Sequence, residues 1–364
     1  MDRVAEAAAG QGAAGQGADV VAAQAAEGQG ADVVAAQAAT GQAAAQAVGV
    51  GIIGDTGMVG TAIGRLIEGH GLARVAYRRN SRREEGLLKG CAICFLATAD
   101  ADSMRFAREA LGSGARVVDM SGAFRLLVAD FERWYGMEHS APELVGEAVY
   151  GMPAFNAEAI RGARLVSNPG CFATAVILAL RPLHPMLSGE AVVVATSGNS
   201  GARREIEAAS NEIAYTFGRR HKHVPEMNKY SYFDIDFTAI VLRSVFSGIN
   251  ANIRVELPGS LRSMPPQSAA AELERRIGAA YKADDLVRVA RDGERAGDVA
   301  PSDVGGAWGT RDVVGTNLLL IKVRVDGGFA YICSMLDNIV KGAAGQAIEN
   351  MNLMLGFPRL QGLE

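Results

Sequence analysis

The sequence predicts an α/β protein of two domains, the first built on a parallel, doubly wound sheet and the second on a mixed sheet. Three observations carry this. A short apolar strand at Val48–Ile53 runs straight into the turn Gly54-Asp55-Thr56-Gly57-Met58-Val59-Gly60, and apolar residues then recur at helical spacing. Strands and helices go on alternating as far as residue 170. Beyond Cys171 the chain changes to longer β-rich runs at 191–196, 234–244, 252–257, 317–325 and 329–335, which suit a mixed or antiparallel sheet.

Composition bounds the function. At 364 residues, 49% apolar, 21% charged and with a net charge of -4, the chain has room for two cores and lacks the basic excess of a nucleic-acid binder. Its longest apolar runs fall far short of the roughly 20 residues that span a bilayer. Four cysteines without the regular pairing of a secreted framework point to a reducing, cytoplasmic compartment. Cys91 and Cys94 have the spacing of a CxxC, but they lie in the apolar run 91–97, which reads as a buried strand. Residues an odd number apart then face opposite ways, so the pair is expected to hold neither a metal nor a disulfide.

Residues 1–47 are low in complexity, and the 13-residue segment 15–27 recurs almost unchanged at 28–40. Two short repeats do not make a solenoid, and a stretch without a basic residue between Arg3 and Arg65 is no Arg-rich transit peptide. We read it as an extension outside the fold, with no catalytic part. The nucleotide domain occupies 48–170. Gly54, Thr56, Gly57, Met58, Val59 and Gly60 lie where a strand becomes a helix, and there a tight turn and close backbone approach suit a pyrophosphate held by the helix N-terminus. The second strand, 72–77, is followed by Arg78, Arg79, Asn80, Ser81 and Arg82 in place of the acidic residue that holds an NAD ribose, so NADP is the expected cofactor. After a strand at 92–97, a helix at 102–111 and a strand at 115–120, Ser121 and Arg125 are placed to face the ligand crevice of a Rossmann-type sheet.

The turn Asn168-Pro169-Gly170 then feeds an apolar helix with Cys171 in its first turn. Unpaired N–H groups and the positive end of the helix dipole favour a thiolate there, which makes Cys171 a candidate nucleophile of lowered pKa. Its base should be a histidine. His221 and His223 stand in Arg219-Arg220-His221-Lys222-His223-Val224-Pro225-Glu226, a basic patch suited to an anionic substrate; on a strand both would face the site with Lys222 opposite. No third ligand follows at sensible spacing, so no metal is expected. The second domain is read as 171–335. A last helix spanning 336–355 would carry Leu336, Ile339, Val340, Ala343, Ala347, Met351 and Met354 on one face, so that 336–364 packs back on the nucleotide domain.

These residues resemble the N-acetyl-γ-glutamyl-phosphate reductases, NADP-dependent enzymes of arginine biosynthesis within the semialdehyde dehydrogenase superfamily, over residues 48–357. The glycine turn is similar to that superfamily's GxTGxVG, and 121–126, 134–136 and 150–153 follow its first-domain pattern. Residues 166–182 match its signature around the active-site cysteine, 221–226 its HRHxPE, and 337–347 its pattern for a helix that starts beside the nicotinamide. The stretch 197–204 is similar to SGxSGAGR but has Arg203 where glycine is usual, the segment between Arg78 and Cys91 is short for the family, and the repeats have no counterpart.

The resemblance implies a Rossmann-type domain, a catalytic and dimerisation domain, and a homo-oligomer, dimer or tetramer. It implies Cys171 as nucleophile toward an acyl phosphate, one of His221 and His223 as acid–base group with motif position favouring His221, and Asn338 in the cofactor site. Asn168 would help the Cys171 N–H bind the oxyanion, while Arg125, Ser197 and Arg204 would contact substrate carboxylate or phosphate. The neighbouring alternative is the reductase of aminoadipyl phosphate in lysine biosynthesis, which shares the cysteine chemistry and differs in the pocket. A thiol hydrolase using Cys171 and His221 would have no use for the glycine turn.

Overall fold

Both faces of the first strand are covered, which is why it reads as an unbroken apolar run. The computed structural model describes residues 47–201, 211–216, 218–290 and 309–363, so the repeats and the stretch with Arg203 and Arg204 lie outside the described residues. The chain runs β1 (Val48–Ile53), α1 (Met58–Glu68), β2 (Ala73–Arg79), β3 (Glu84–Gly86), β4 (Ile93–Leu96), α2 (Asp100–Gly112) and β5 (Arg116–Asp119). It continues through α3 (Val128–Tyr135), α4 (Pro142–Val145), β6 (Ala148–Tyr150), α5 (Pro153–Gly162) and β7 (Leu165–Ser167). These strands form a sheet in the order β3-β2-β1-β4-β5-β7-β6, parallel except for β3, which returns along the β2 edge.

Period-two alternation divides the core. Val50, Ile52, Ile93 and Phe95 pack on one face with α1, while Ile53, Cys94 and Leu96 pack on the other with α2. The expectation that Cys91 and Cys94 point apart is corrected here. β4 begins only at Ile93, so the strand alternation never reaches Cys91, and both thiols sit in the same apolar cluster as free, buried cysteines. Among the described residues no group of His, Cys, Asp or Glu is arranged to hold a metal.

The second half comprises α6 (Cys171–Leu180), β8 (Glu190–Gly198), β9 (Glu212–Tyr215), α7 (Val224–Ser231), β10 (Asp234–Leu242), β11 (Ile249–Glu256), α8 (Gly259–Arg262) and α9 (Pro266–Ala280). β12 (Val287–Val289), β13 (Leu319–Asp326), β14 (Phe329–Leu336) and α10 (Gly345–Leu355) complete it. Its strands are ordered β12-β13-β14-β11-β8-β10-β9, with β8–β10 and β12–β13 parallel and the other pairs antiparallel, a mixed sheet as the sequence suggests. Gly327 and Gly328, both at positive φ, make the two-residue turn between β13 and β14 that side chains would strain. One face of this sheet buries Val193, Ala251, Ile253, Ile321 and Ile332 against α6 and α9. The opposite face leaves Val194 and Tyr331 42% and 44% exposed in the single chain.

α6 is apolar on every side and almost wholly buried, as a helix packed all round must be. The single helix expected at 336–355 is corrected. Leu336 ends β14, and Asp337 breaks the chain by accepting the N–H groups of Ile339 and Val340 on Oδ1 at 2.7 and 3.1 Å. A π-turn at Val340–Ala344 follows and leads into α10. From there the expected packing holds: Ala347, Ile348 and Met351 join the cluster of Val50, Ile52 and Ile63, so the last helix returns to the first sheet.

Candidate active site

β7 aims the turn that carries Cys171. The strand ends at Ser167, Gly170 is the N-cap of α6 without any side-chain cap, and Cys171 is the first helical residue, half-buried in the wall of a cavity of about 710 Å³. The cavity runs from Met58 and Val59 at the mouth of α1, past Ser121 and Arg125, to Cys171, and on to His221, His223 and Asn338. The topology therefore brings together segments the sequence holds far apart. Burial pushes the Cys171 thiol up to about 11, against the pull of the Phe172 N–H and the Arg125 charge. The lowered pKa expected from helix position alone is thus corrected: the helix terminus acts in the expected direction but is outweighed by desolvation.

His221 and His223 lie in a turn, with α7 starting at Val224, so the strand that would have turned both inward is not what places them. Both are nonetheless buried, with Lys222 between them exposed. His221 Nδ1 accepts the His223 backbone N–H at 3.1 Å, which leaves the His221 proton on Nε2. His223 packs directly over the turn before Cys171: a Cβ built on Gly170 would stand 2.5 Å from its Cε1 and Nε2. Glycine before the cysteine is therefore the space the imidazole occupies. Burial lowers both histidines, His221 to about 4 and His223 well below the ordinary 6.5, so both are neutral at pH 7.

Glu226, the last residue of the histidine motif, anchors this arrangement. Its Oε1 accepts the Gly170 N–H at 3.0 Å and the Tyr150 hydroxyl at 2.8 Å, while Oε2 lies 3.6 Å from Arg125 Nη1. Arg125 Nε donates to Asn168 O at 2.8 Å and Nη2 to Met120 O at 2.9 Å, so this cavity-lining arginine also ties the ends of β5 and β7 together. Pair and turn are buried, and removing one partner of such a pair costs about 3–5 kcal/mol. The signal available in the sequence was Glu226 three residues after His223, in the first turn of its helix.

The structure separates the other expected site residues. Ser197 lines the cavity at the end of β8, its hydroxyl donating to Gly198 O at 3.0 Å. Asn168 does not line it: Nδ2 donates to Ala343 O at 3.3 Å and Oδ1 accepts from Asn350 at 2.9 Å, which spends the amide on fastening the turn to the C-terminal helix. Arg204 lies outside the described residues. Asn338 lines the cavity and is fixed on both sides, accepting the Gly248 N–H at 2.7 Å and donating to Ser200 at 2.9 Å.

The glycine turn fits a dinucleotide. Gly54 has φ +90 and a Cβ there would overlap the Ala97 carbonyl, while a Cβ on Gly60 would overlap the Gly54 carbonyl. Thr56, Gly57 and Met58 are exposed, and no side chain caps α1, so its first N–H groups open toward the cavity. Within this turn Asp55 accepts from Asn80 and Arg83, which follow β2, both at 2.8 Å. Burial raises the Asp55 carboxyl, and those two bonds outweigh it and hold it below its ordinary value. Arg79 is engaged with Glu109 at 2.8 Å and lies 4.8 Å over the Phe106 ring, and Arg78 stands 3.9 Å from Glu68. Ser81 and Arg82 are exposed.

Comparison with known proteins places this architecture. Residues 79–163 match the model for the NAD-binding domain of semialdehyde dehydrogenases, and residues 171–338 the model for their dimerisation domain. The chain is thus an NAD(P)-binding oxidoreductase of the semialdehyde dehydrogenase class, built to form a homo-oligomer. The fold agrees: aspartate semialdehyde dehydrogenase II from Vibrio cholerae superposes with a TM-score of 0.64 at 18% identity, covering 85% of this chain and 99% of that one. The NADP-bound aspartate semialdehyde dehydrogenase of Candida albicans does so with a TM-score of 0.58 at 14% identity, covering 85% and 98%.

Sequence relatives are more specific. The N-acetyl-γ-glutamyl-phosphate reductase of Nitrosomonas eutropha is 34% identical over 87% of this chain and 98% of its own. That of Nitrosospira multiformis is 36% identical over 85% and 96%. That of Thermus thermophilus is 34% identical over 85% and 96%. The chain belongs to the N-acetyl-γ-glutamyl-phosphate reductase family.

Proposed function

We propose that this chain reduces N-acetyl-γ-glutamyl phosphate to N-acetylglutamate 5-semialdehyde with NADPH and release of phosphate, the arginine-biosynthetic reaction, through a thioester on Cys171. The observation that carries the mechanism is the placing of Cys171 at an uncapped helix mouth beside His223, in the cavity that the glycine turn also enters. Gly54, Gly57, Met58, Val59 and Gly60 would hold the pyrophosphate, with Thr56 beside it. Arg78, Ser81 and Arg82 would read the 2′-phosphate; Arg79, already engaged by Glu109, would back them. Asn338 would hold the nicotinamide end, and NADPH supplies hydride there when bound.

The chain's own residues do the rest. His223 is neutral and takes the thiol proton as the sulfur attacks the acyl carbon, which removes the need for a preformed thiolate. The oxyanion that forms would lie at the first turn of α6, where the Cys171 and Phe172 N–H groups, which already face the sulfur, would be the donors. Collapse expels phosphate and leaves the thioester. After reduction of the thioester carbon, the same N–H groups hold the second oxyanion while the histidine supplies its proton; on collapse the histidine takes that proton back and passes it to the leaving sulfur, giving the aldehyde and free thiol. Motif position favours His221 for this role; packing on Gly170 favours His223, and we assign it to His223, with His221 holding the backbone beneath it. Arg125 and Ser197 are the substrate contacts within the described cavity. The exposed sheet face that carries Val194 and Tyr331 would be a contact surface of a cytoplasmic homo-oligomer, dimer or tetramer.

The test is phosphate-dependent reduction of NADP with N-acetylglutamate semialdehyde, run beside aminoadipate semialdehyde. We expect the first to be preferred in kcat/KM by at least about a hundredfold. Preference for the second would transfer the chain to the lysine-pathway reaction.

A further inference from the structure

Behind the wall that carries Cys171 lies a buried charge cluster that no catalytic step uses. Lys341, 1% exposed, donates from Nζ to Glu349 Oε1 at 2.7 Å. Glu349 Oε1 also accepts from Asn317 Nδ2 at 2.7 Å, and its Oε2 accepts from Arg359 Nε and Nη2 at 3.0 and 2.8 Å. An apolar set of similar volume would stabilise a core at least as well, so stability alone does not account for these charges.

Lys341 sits in the π-turn Val340–Ala344. There the Gly342 N–H reaches Asp337 O at 2.8 Å and the Ala344 N–H reaches Ile339 O at 2.7 Å, each spanning five residues. Such widened turns sacrifice helix geometry and recur at functional sites. This one presses Gly342 against the nucleophile: a Cβ built on Gly342 would stand 2.7 Å from Cys171 Cβ and 3.2 Å from its Cα. Any shift of the turn is therefore felt at the cysteine. We propose that Lys341, Glu349 and Arg359 form a positioning device, which pins the π-turn so that the Gly342 backbone fixes where the Cys171 sulfur stands. The proposal rests on the reading of Cys171 as nucleophile.

The test uses Lys341→Met and Glu349→Gln in the full chain, read by steady-state kinetics and by the rate of iodoacetamide alkylation at Cys171. In both variants kcat and the alkylation rate are expected to fall about tenfold with KM for acyl phosphate within about twofold, since misplacing a reacting group costs turnover and leaves ground-state binding in place. Arg359→Lys keeps the charge and loosens the grip on Glu349, and should lower both rates about threefold. Asp284→Asn breaks the other Arg359 ion pair, at 2.8 Å, without touching Glu349. It should lower the melting temperature and leave both rates unchanged.

Cluster variants that melt earlier yet alkylate and turn over like wild type would reduce the cluster to a structural role and overturn the proposal. If Lys341→Met and Glu349→Gln yield no folded protein, Arg359→Lys decides by the same two rates. Cys171→Ser is assayed alongside. Retained turnover there would overturn the nucleophile reading itself, whereas a dead Cys171→Ser with unaffected cluster variants would overturn the positioning alone.

Discussion

At Cys171 two physical effects oppose each other, and under the proposed mechanism their balance sets how the thiol is activated. The helix terminus favours a thiolate, yet burial pushes the thiol up to about 11. The nucleophile is the deprotonated sulfur, so a raised pKa places its ionisation on the alkaline side. The rate of alkylation of the free enzyme should therefore keep rising between pH 6 and 9, approaching about tenfold per unit. A plateau above pH 7 would reveal a preformed thiolate and remove the need for His223 as proton acceptor. Local chemistry at this residue was legible in the sequence, since Pro-Gly before an apolar run marks a helix start. What the sequence could not show was the sign of the thiol shift, because desolvation comes from elements packed around the helix mouth. Asn168 went astray for the same reason, its amide being claimed by Asn350 from 182 residues away.

Elements were legible where periodicity was strong and less so where a single side chain intervenes. β1 keeps its expected bounds, and the five β-rich runs after Cys171 became β8, β10, β11, β13 and β14 with ends moved by a few residues. The last helix did not, because its apolar spacing continues through Asp337, whose carboxylate ends one element and starts the next. At the end of β2 the arginine run was visible, but the engagement of Arg79 by Glu109, from a helix 30 residues on, was not. That engagement sorts the run. Replacing Arg78 and Arg82 together by Ala should weaken NADPH at least about tenfold and NADH less than about twofold, as loss of charge-assisted bonds to a 2′-phosphate requires. Equal losses for both cofactors, measured by fluorescence titration, would show that these residues do not read the phosphate.

The whole molecule supplies what neither residue nor element can. One sheet brings the glycine turn and Arg125 to the cavity, the other brings Ser197, the turn before α7 brings both histidines, and the return of α10 sets Gly342 against Cys171. Fold class was readable from the alternation of elements, whereas the assembly of the cavity from segments more than a hundred residues apart was readable only through resemblance to a family. Covalent catalysis at Cys171 is the claim on which these scales converge. It is tested most directly by mixing the enzyme with N-acetyl-γ-glutamyl phosphate in the absence of NADPH and measuring intact and peptide mass after rapid acid quench. One N-acetylglutamyl group per chain is expected, on the peptide containing Cys171, and it disappears when NADPH is added before the quench. An unmodified Cys171 peptide, in enzyme that turns over normally once NADPH is present, would contradict it.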